Sequence, residues 1–320
     1  MGTSPDPLFV LRGSDGPINT LQFCSGSSTE PFILSGCGNG LVQLWNLQTR
    51  RLQSTVEVHD GNGILWANMI DNGKFISQGR DCRIKCWDLS KGHCDVISTF
   101  SYDAAGFCQC TFSKKANMLA VPGKEPSVVD IYKFETAEKI SSLVPIEGAR
   151  ALGMVMRMKF VSSSEDRPCL LAGYEDGSIA LWDISMVKIL NRVKVHNESV
   201  MGLDYSISQR RGVSGSADDK LSSWFVNEAM EIKCETKLTL TNAGISDVNI
   251  RDDDRILATA GWDSRIRIFS FKKLKPLAVL CYHRDTVHCL AFSTLQGYPG
   301  LLAAGSKDKH ISFWSIYNDL

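Results

Sequence analysis

The run LLAGYEDGSIALWD, residues 170–183, contains the pattern that decides the fold. An apolar stretch ends in Ala172 and Gly173, and Asp176 follows in a short polar turn. A second apolar stretch then ends in Trp182, six residues after the aspartate. Short apolar runs separated by Gly/Asp turns are typical of antiparallel β-strands joined by tight connections. The run therefore predicts two neighbouring strands of one sheet.

The same pattern occurs five more times along the chain. Each copy has an Asp or Asn six residues before an aromatic residue: Asn39 and Trp45, Asp81 and Trp87, Asp218 and Trp224, Asp263 and Phe269, and Asp308 and Trp314. A degenerate copy runs from Gly123 to Tyr132, with Pro126 where the acid belongs. The aromatic residues recur about every 45 residues, a period that indicates the blades of a β-propeller.

These repeats predict an all-β, seven-bladed WD-repeat β-propeller that forms a single domain over residues 1–320. Trp182 and Asp183 carry the Trp-Asp dipeptide itself. Few residues follow Trp314, so the last blade lacks a fourth strand. We expect the run Leu8–Arg12 to supply it, because closing the ring protects the sheet edges. No stretch keeps a helical apolar period, so we expect minimal helix content.

Histidines precede three of the blades at similar distances from their tryptophans. A buried indole N–H needs an acceptor, and a Ser or Thr hydroxyl, a histidine and the turn aspartate can form a hydrogen-bonded chain to it. We interpret these groups as structural networks, because a catalytic pair would be expected once rather than three times at the repeat spacing. Their members are His59, Asp81 and Trp87; His196, Asp218 and Trp224; and His283, Asp308 and Trp314.

Two tryptophans lie outside the repeated tryptophan position. Trp262 falls in a turn, and Trp66 falls in the first strand of the second blade. Tryptophan is enriched at binding hot spots, and residues beside the turn acids should share one rim of the propeller. We therefore predict a protein-interaction surface that includes Trp262, Tyr174, Arg80, Lys307 and Trp66. The alternative is that each side chain packs on a neighbouring turn.

Composition and charge exclude several classes of function. The chain has 35 Lys and Arg against 35 Asp and Glu, so it lacks the basic excess of a nucleic-acid-binding protein. No apolar run reaches the ~18 residues of a membrane span, and no signal peptide is evident. We therefore expect neither nucleic acid nor membrane as a partner. The eleven cysteines, which form no Cys-x-x-Cys motif, predict reduced core thiols in a cytoplasmic protein that also enters the nucleus. We expect the protein to be monomeric on its own.

The search for catalytic motifs points away from an enzyme. No phosphate-binding loop, zinc-protease motif, nucleophile elbow or calcium loop occurs. We therefore predict no catalytic residue, no metal and no cofactor. The divergent third blade is either a specialised surface or a decayed repeat, and the sequence does not choose between them.

Several runs resemble a known family. They are LQTRR at residues 47–51, LLAGYEDG at 170–177, ILATAGWD at 256–263 and LLAAGSKD at 301–308. Over essentially the whole chain the sequence resembles the guanine nucleotide-binding protein subunit beta-like protein 1 family of animals, which looks related to the fungal ASTRA-associated protein 1. The resemblance implies a co-chaperone-like adaptor. Such an adaptor would work with a co-chaperone assembly and support the maturation or stability of large phosphatidylinositol-3-kinase-like kinases.

Three hypotheses of function remain open at this point. The leading one is a non-enzymatic protein-interaction scaffold, because a rigid ring with many variable loops suits docking of several partners. The second is a G-protein-β-like signalling adaptor, although the N-terminal helix through which β subunits coil with γ subunits has no counterpart here. The third, a propeller enzyme or small-ligand binder, would need convergent ligands at the central channel, and only the repeated structural pairs are present.

Overall fold

The computed structural model describes residues 5–25, 30–71, 73–89, 94–104, 106–145, 152–161 and 167–317. Within these residues, 28 β-strands form seven four-stranded sheets. The protein is an all-β, seven-bladed β-propeller, which confirms the fold predicted from the repeats. In the described part of the chain, no helix is long and apolar enough to cross a membrane.

The chain divides into two compact units. Unit 1 comprises Met1–Ser101, Arg251–Phe271 and Lys275–Leu320, and unit 2 comprises Tyr102–Ile250 and Lys272–Leu274. The single domain over residues 1–320 stays a prediction.

Unit 1 contains blades 1, 2 and 7 and three strands of blade 6. Blade 1 consists of β2 (Ile18–Ser25), β3 (Pro31–Cys37), β4 (Leu41–Asn46) and β5 (Arg51–Glu57). Blade 2 consists of β6 (Ile64–Asp71), β7 (Lys74–Gly79), β8 (Arg83–Asp88) and β9 (Asp95–Ser101). The strands of blade 6 in this unit are β23 (Ile256–Gly261), β24 (Arg265–Ser270) and β25 (Pro276–Cys281). Blade 7 consists of β26 (Val287–Phe292), β27 (Leu302–Ser306), β28 (Ile311–Trp314) and β1 (Phe9–Leu11).

Unit 2 contains blades 3, 4 and 5 and the first strand of blade 6, β22 (Ile245–Ile250). Blade 3 consists of β10 (Thr111–Ser113), β11 (Met118–Pro122), β12 (Val129–Lys133) and β13 (Glu138–Leu143). Blade 4 consists of β14 (Val155–Phe160), β15 (Cys169–Tyr174), β16 (Ser178–Asp183) and β17 (Lys188–Lys194). Blade 5 consists of β18 (Val200–Ser206), β19 (Arg211–Ser216), β20 (Lys220–Val226) and β21 (Ile232–Thr239).

The position of a strand within its blade decides its burial. In blade 4, every residue of β15 and β16 is buried, and both strands are largely apolar. In the outermost strand β17, the exposed residues are Lys188, Arg192 and Lys194, and the others are half-buried. Charged side chains on an edge strand discourage pairing with another chain. The core therefore lies between the middle strands of neighbouring blades.

The cysteines depart in part from the prediction of core thiols. All eleven are free, and six of them are buried. Cys234 and Cys281 are exposed, because they lie on the outermost strands β21 and β25. The expectation of a core position is wrong for these two.

The recurring glycine is required by the packing of one blade on the next. A Cβ atom added to Gly173 would lie 2.7 Å from a methyl carbon of Val200, the first residue of β18. Such a separation is shorter than close-packed carbon atoms tolerate. The same crowding, at 2.4 to 2.7 Å, occurs where Gly36 meets Ile64, Gly215 meets Ile245 and Gly305 meets Ile18.

A β-bulge accompanies the repeated aromatic residue in six blades. The register with the outermost strand shifts by one residue immediately before the aromatic, at Trp45, Trp87, Tyr132, Trp182, Trp224 and Phe269. A bulge leaves one residue unpaired and increases the local twist of the strand. These bulges do not follow from the hydrophobic pattern of the chain.

The N-terminal strand completes blade 7, as predicted. β1 pairs with β28 in antiparallel register, with Phe9 opposite Phe313. The Phe9 ring stacks on the Phe313 ring at 4.3 Å between centroids, and the Arg50 guanidinium lies 4.5 Å from the Phe9 ring centre. The closing strand is therefore held by main-chain hydrogen bonds and by one aromatic contact.

We expect Phe9→Ala to lower the free energy of unfolding by about 2 kcal/mol, because the variant loses the stacked pair and a half-buried ring. Leu8→Ala is the matched control, since Leu8 is 58% exposed, and it should change stability by less than about 0.5 kcal/mol. Urea denaturation of both variants measures the difference. Equal losses would show that the ring of Phe9 does not fasten the strand.

Candidate functional site

Blade 2 contains a complete chain of hydrogen bonds inside the sheet. The Trp87 Nε1–H donates to Ser77 Oγ at 2.9 Å, and Ser77 Oγ lies 2.9 Å from His59 Nε2. His59 Nδ1 lies 2.9 Å from an oxygen of Asp81. Every group is satisfied when His59 is neutral and carries its proton on Nδ1. Burial lowers the pKa of His59, against the influence of Asp81, and so favours this neutral form.

Blade 7 forms the same chain with a hydroxyl from a different strand. Trp314 Nε1–H donates to Ser312 Oγ at 2.8 Å, Ser312 Oγ lies 2.8 Å from His283 Nε2, and His283 Nδ1 lies 3.0 Å from Asp308. Ala304 stands opposite Ser312 in the register, at the position that corresponds to Ser77 in blade 2. A hydroxyl on either of two paired strand positions can therefore accept the hydrogen bond from the tryptophan N–H.

Blade 5 contains an incomplete version. Trp224 donates to Ser214 at 3.3 Å, and His196 Nε2 lies 2.8 Å from the same hydroxyl. His196 Nδ1, however, lies 3.7 Å from Asp218, too far for a hydrogen bond. Asp218 instead accepts the backbone N–H of Lys220 at 2.7 Å. The expected His196–Asp218 hydrogen bond is therefore absent, and His196 Nδ1 has no partner among the described residues.

Tyr174 takes the place of the serine in blade 4. Its hydroxyl accepts the Trp182 Nε1–H at 3.1 Å, and its side chain is 0% exposed. Burial also raises the pKa of Tyr174, so the phenol stays protonated. The expectation that Tyr174 contacts a partner needs correction, because this fully buried side chain satisfies the indole of its own blade.

These networks bind the strands of one blade together. His59, His196 and His283 are all buried, and each imidazole faces a serine of its own blade. Among the residues that the structure describes, no group of three or more His, Cys, Asp or Glu could hold a metal ion. The arrangement therefore supports a structural role for the His/Asp pairs.

The other predicted interaction residues lie at accessible positions of unit 1. Trp262 lies in the turn between β23 and β24 and is 46% exposed. Lys307 lies in the turn between β27 and β28, and Arg80 lies in the turn between β7 and β8; both are exposed. Trp66 differs, because it is half-buried within β6, opposite Gln78. Three of the five predicted residues thus lie on equivalent turns.

A threonine joins two of these turns. Thr286 Oγ1–H donates to the backbone oxygen of Trp262 at 3.4 Å, and the backbone N–H of Lys307 donates to the Thr286 oxygen at 2.9 Å. Blades 6 and 7 therefore present Trp262 and Lys307 on connected backbone. This geometry is compatible with one surface that two neighbouring blades share.

Sequence reasoning missed a polar cluster in unit 2. Arg157, on β14, donates to the backbone oxygens of Met201 and Ser246 and to side-chain oxygens of Gln109 and Asp247. These partners lie before β10, on β18 and on β22, so one guanidinium links segments of blades 3, 5 and 6 to blade 4. A charged residue inside the run VMRMKF, residues 155–160, was the available signal.

A buried arginine, Arg251, lies in the Asp-rich turn between β22 and β23. Arg251 donates to Asp253 at 2.6 Å and to the backbone oxygens of Ile316 and Tyr317 at 2.8 and 3.3 Å. The pair holds the residues after β28 against this turn. Asp253 thus serves a structural ion pair.

Comparison with known proteins agrees with this architecture. A family model described as "WD domain, G-beta repeat" matches residues 5–46, 232–270 and 274–315. The guanine nucleotide-binding protein subunit beta-like protein 1 of Mus musculus is 44% identical over 320 residues, which cover 98% of this chain and 97% of the mouse protein. The chain belongs to the guanine nucleotide-binding protein subunit beta-like protein 1 family. The resemblance seen in the sequence is thereby confirmed.

More distant relatives of this beta-like protein 1 family member are fungal. ASTRA-associated protein 1 of Schizosaccharomyces pombe is 25% identical and covers 98% of this chain and 99% of its own length. ASTRA-associated protein 1 of Schizosaccharomyces japonicus is 27% identical, with the same coverage. The similarity extends over the full set of blades, so this family member is a WD-repeat scaffold protein.

We expect Tyr174→Phe to lower the free energy of unfolding by about 1 to 3 kcal/mol, because the buried Trp182 N–H loses its acceptor. Tyr205→Phe is the control: Tyr205 stacks on Trp224, but Trp224 donates to Ser214. That variant should lose less than about 1 kcal/mol. Urea denaturation compares the two, and equal losses would contradict a special role of the Tyr174 hydroxyl.

Because of His196, the free energy of unfolding should decrease as the pH is lowered. Burial lowers the pKa of His196 from 6.5 to about 4. Between these values the unfolded chain binds a proton that the folded chain excludes, so acidification favours unfolding. The loss at pH 5 relative to neutral pH should be roughly 2 kcal/mol. Urea denaturation as a function of pH measures it, and His196→Gln should have a shallower pH dependence. An unchanged slope in this variant would rule out His196 as the source.

Proposed function

We propose that this protein is a non-enzymatic adaptor that works with a co-chaperone assembly and supports the maturation or stability of phosphatidylinositol-3-kinase-like kinases. It acts as a monomer in the cytoplasm, with the nucleus as a second location. The fungal relatives support the adaptor role, since their name states an association with ASTRA. The kinases as clients come from the family resemblance.

The observation that carries a docking role is the exposure of Trp262. Trp262 lies in a turn, where a polar side chain would be expected, and 46% of this large aromatic residue is exposed to solvent. Tryptophan contributes more often than other residues to the central contacts of protein interfaces. Trp262, with Lys307 and Arg80 on equivalent turns, is our proposed contact surface for a partner.

A scaffold role also fits the way the polar residues are used. The histidines and turn aspartates of blades 2 and 7 are committed to hydrogen bonds within their own blades. The variable residues beside them reach solvent without disturbing these bonds. The blade framework can therefore present different side chains for recognition at little cost in stability.

Affinity purification with quantitative mass spectrometry tests the proposal. We expect the wild-type protein to recover co-chaperone components or large kinases. Trp262→Ala should weaken this recovery, because loss of a hot-spot residue costs about 2 kcal/mol or more of binding free energy. The thermal unfolding of the variant should remain close to that of the wild type.

Tyr317→Ala is the matched control, since Tyr317 is an aromatic residue that is 41% exposed and lies after β28, outside the turns that carry Trp262, Lys307 and Arg80. It should recover partners as the wild type does. Recovery of Gα or γ subunits would favour a G-protein-β-like adaptor instead. A preparation without any stoichiometric partner would refute the scaffold proposal.

A further inference from the structure

In unit 1 the acids of three repeats direct their charge into the blades. The acids lie in the turns that join β7 to β8, β23 to β24 and β27 to β28. Their acids bond inward, Asp81 to His59, Asp263 to Arg267 and Asp308 to His283. Each acid also accepts a backbone N–H two residues farther along its turn, from Arg83, Arg265 and His310. These carboxylates are therefore occupied by partners of their own blades.

Within two residues of these acids, the exposed side chains are nearly all basic. We call the following set the turn patch: Arg80, Arg83, Trp262, Arg265, Lys307 and Lys309. Since the acids between them are bonded inward, the accessible charge of these turns is positive. The patch thus combines five cations with one large aromatic ring.

Two observations place members of the turn patch near one another. Thr286 links the backbone of Trp262 to that of Lys307, as described above. Burial is the main cause of the lowered pKa of His288; Asp285 opposes it, and the charges of Lys307 and Arg80 add to it. His288 lies on β26, at a bulge between Val287 and Cys289, and contacts Asn19 Oδ1 at 3.1 Å. Arg80 and Lys307 therefore lie within electrostatic range of one side chain.

Exposed acids beside the patch do not neutralise it strongly. Lys307 Nζ lies 3.5 Å from Asp285, and the two side chains are 57% and 43% exposed. An ion pair as exposed as this contributes about 0 to 1 kcal/mol. Asp60, which is also exposed, lies 3.8 Å from the largely buried Lys85. An incoming carboxylate can share Lys307 without breaking a buried ion pair.

The cations are not a requirement of the repeat itself. In unit 2 the turn of blade 4 has Glu175 before Asp176, and the turn of blade 5 has Asp219 after Asp218. Both turns form with acidic neighbours, so the basic residues of the turn patch serve no general need of the fold. Their concentration in unit 1 requires another reason, and recognition of negative charge provides one.

We infer that the turn patch binds an acidic, extended segment of a partner protein, whose Asp and Glu carboxylates pair with Arg80 and Lys307 and whose apolar side chain packs on Trp262. Arginine matches the planar carboxylate with two parallel hydrogen bonds. Complementary charge raises the rate of association and selects the partner. This inference rests on the proposed scaffold function, to which it adds the chemistry of the ligand.

The test uses the purified full-length protein and a short fluorescein-labelled peptide rich in Glu and Asp with a central Leu. Fluorescence anisotropy measures its affinity at several salt concentrations. We expect binding that weakens as salt rises, because charge pairs at a surface are screened. Lys307→Glu and Arg80→Glu should each weaken binding roughly five- to tenfold, and Trp262→Ala should weaken it about tenfold or more.

Arg51→Glu is the matched control. It makes the same charge change in the same unit, but Arg51 begins β5 at the opposite end of blade 1 from the β3–β4 turn. It should leave the affinity close to that of the wild type. Equal weakening by Arg51→Glu and Lys307→Glu would reduce the effect to net charge and overturn the inference.

Three further outcomes would overturn the inference. They are no binding of the acidic peptide, equal binding of a matched peptide with Ser in place of the acids, and binding only after phosphorylation of that Ser peptide. The scaffold proposal can survive each of these, since its own test is partner recovery by Trp262→Ala. Conversely, peptide binding by a protein that recovers no cellular partner would support the inference about the patch and contradict the scaffold function.

Discussion

A tryptophan buried between strands must have an acceptor for its indole N–H, and much of this structure follows from that requirement. Four tryptophans, Trp45, Trp87, Trp224 and Trp314, donate to serine hydroxyls. The fifth, Trp182, donates to a tyrosine. Because an unsatisfied buried donor destabilises a fold by about 1 to 3 kcal/mol, each blade that contains such a tryptophan needs its own acceptor. Phe269, which has no N–H, stands in blade 6, where the turn acid pairs with Arg267 instead.

The same repeat contains a second constraint, close packing between blades. Gly36, Gly173, Gly215 and Gly305 lie where a Cβ would overlap the first strand of the following blade. The small-residue–glycine step thus marks the contact between blades, and the aromatic marks the contact between strands of one blade. A residue change at either position affects packing first, which separates these positions from the variable turn residues next to them.

The hydrogen-bonded chains also shape the surface of unit 1. By directing Asp81 and Asp308 toward histidines, they remove negative charge from the turns that carry Arg80 and Lys307. A structural need within the blade therefore influences the electrostatics available to a partner. The family relationship and the exposed Trp262 then give this surface its proposed adaptor role.

From the sequence alone, the period of about 45 residues determined the number of blades. The spacings of His and Asp determined the networks of blades 2 and 7. Period and spacing can be read from the order of residues along the chain. The sequence also placed Trp262 in a turn. Tertiary structure alone decided that Tyr174 is an internal acceptor, that Ser312 replaces a serine on the paired strand, and that His196 lies 3.7 Å from Asp218. It also decided that Arg157 links segments of four blades. Such contacts depend on β-bulges and cross-strand register, which bring together residues whose separation along the chain follows no fixed spacing.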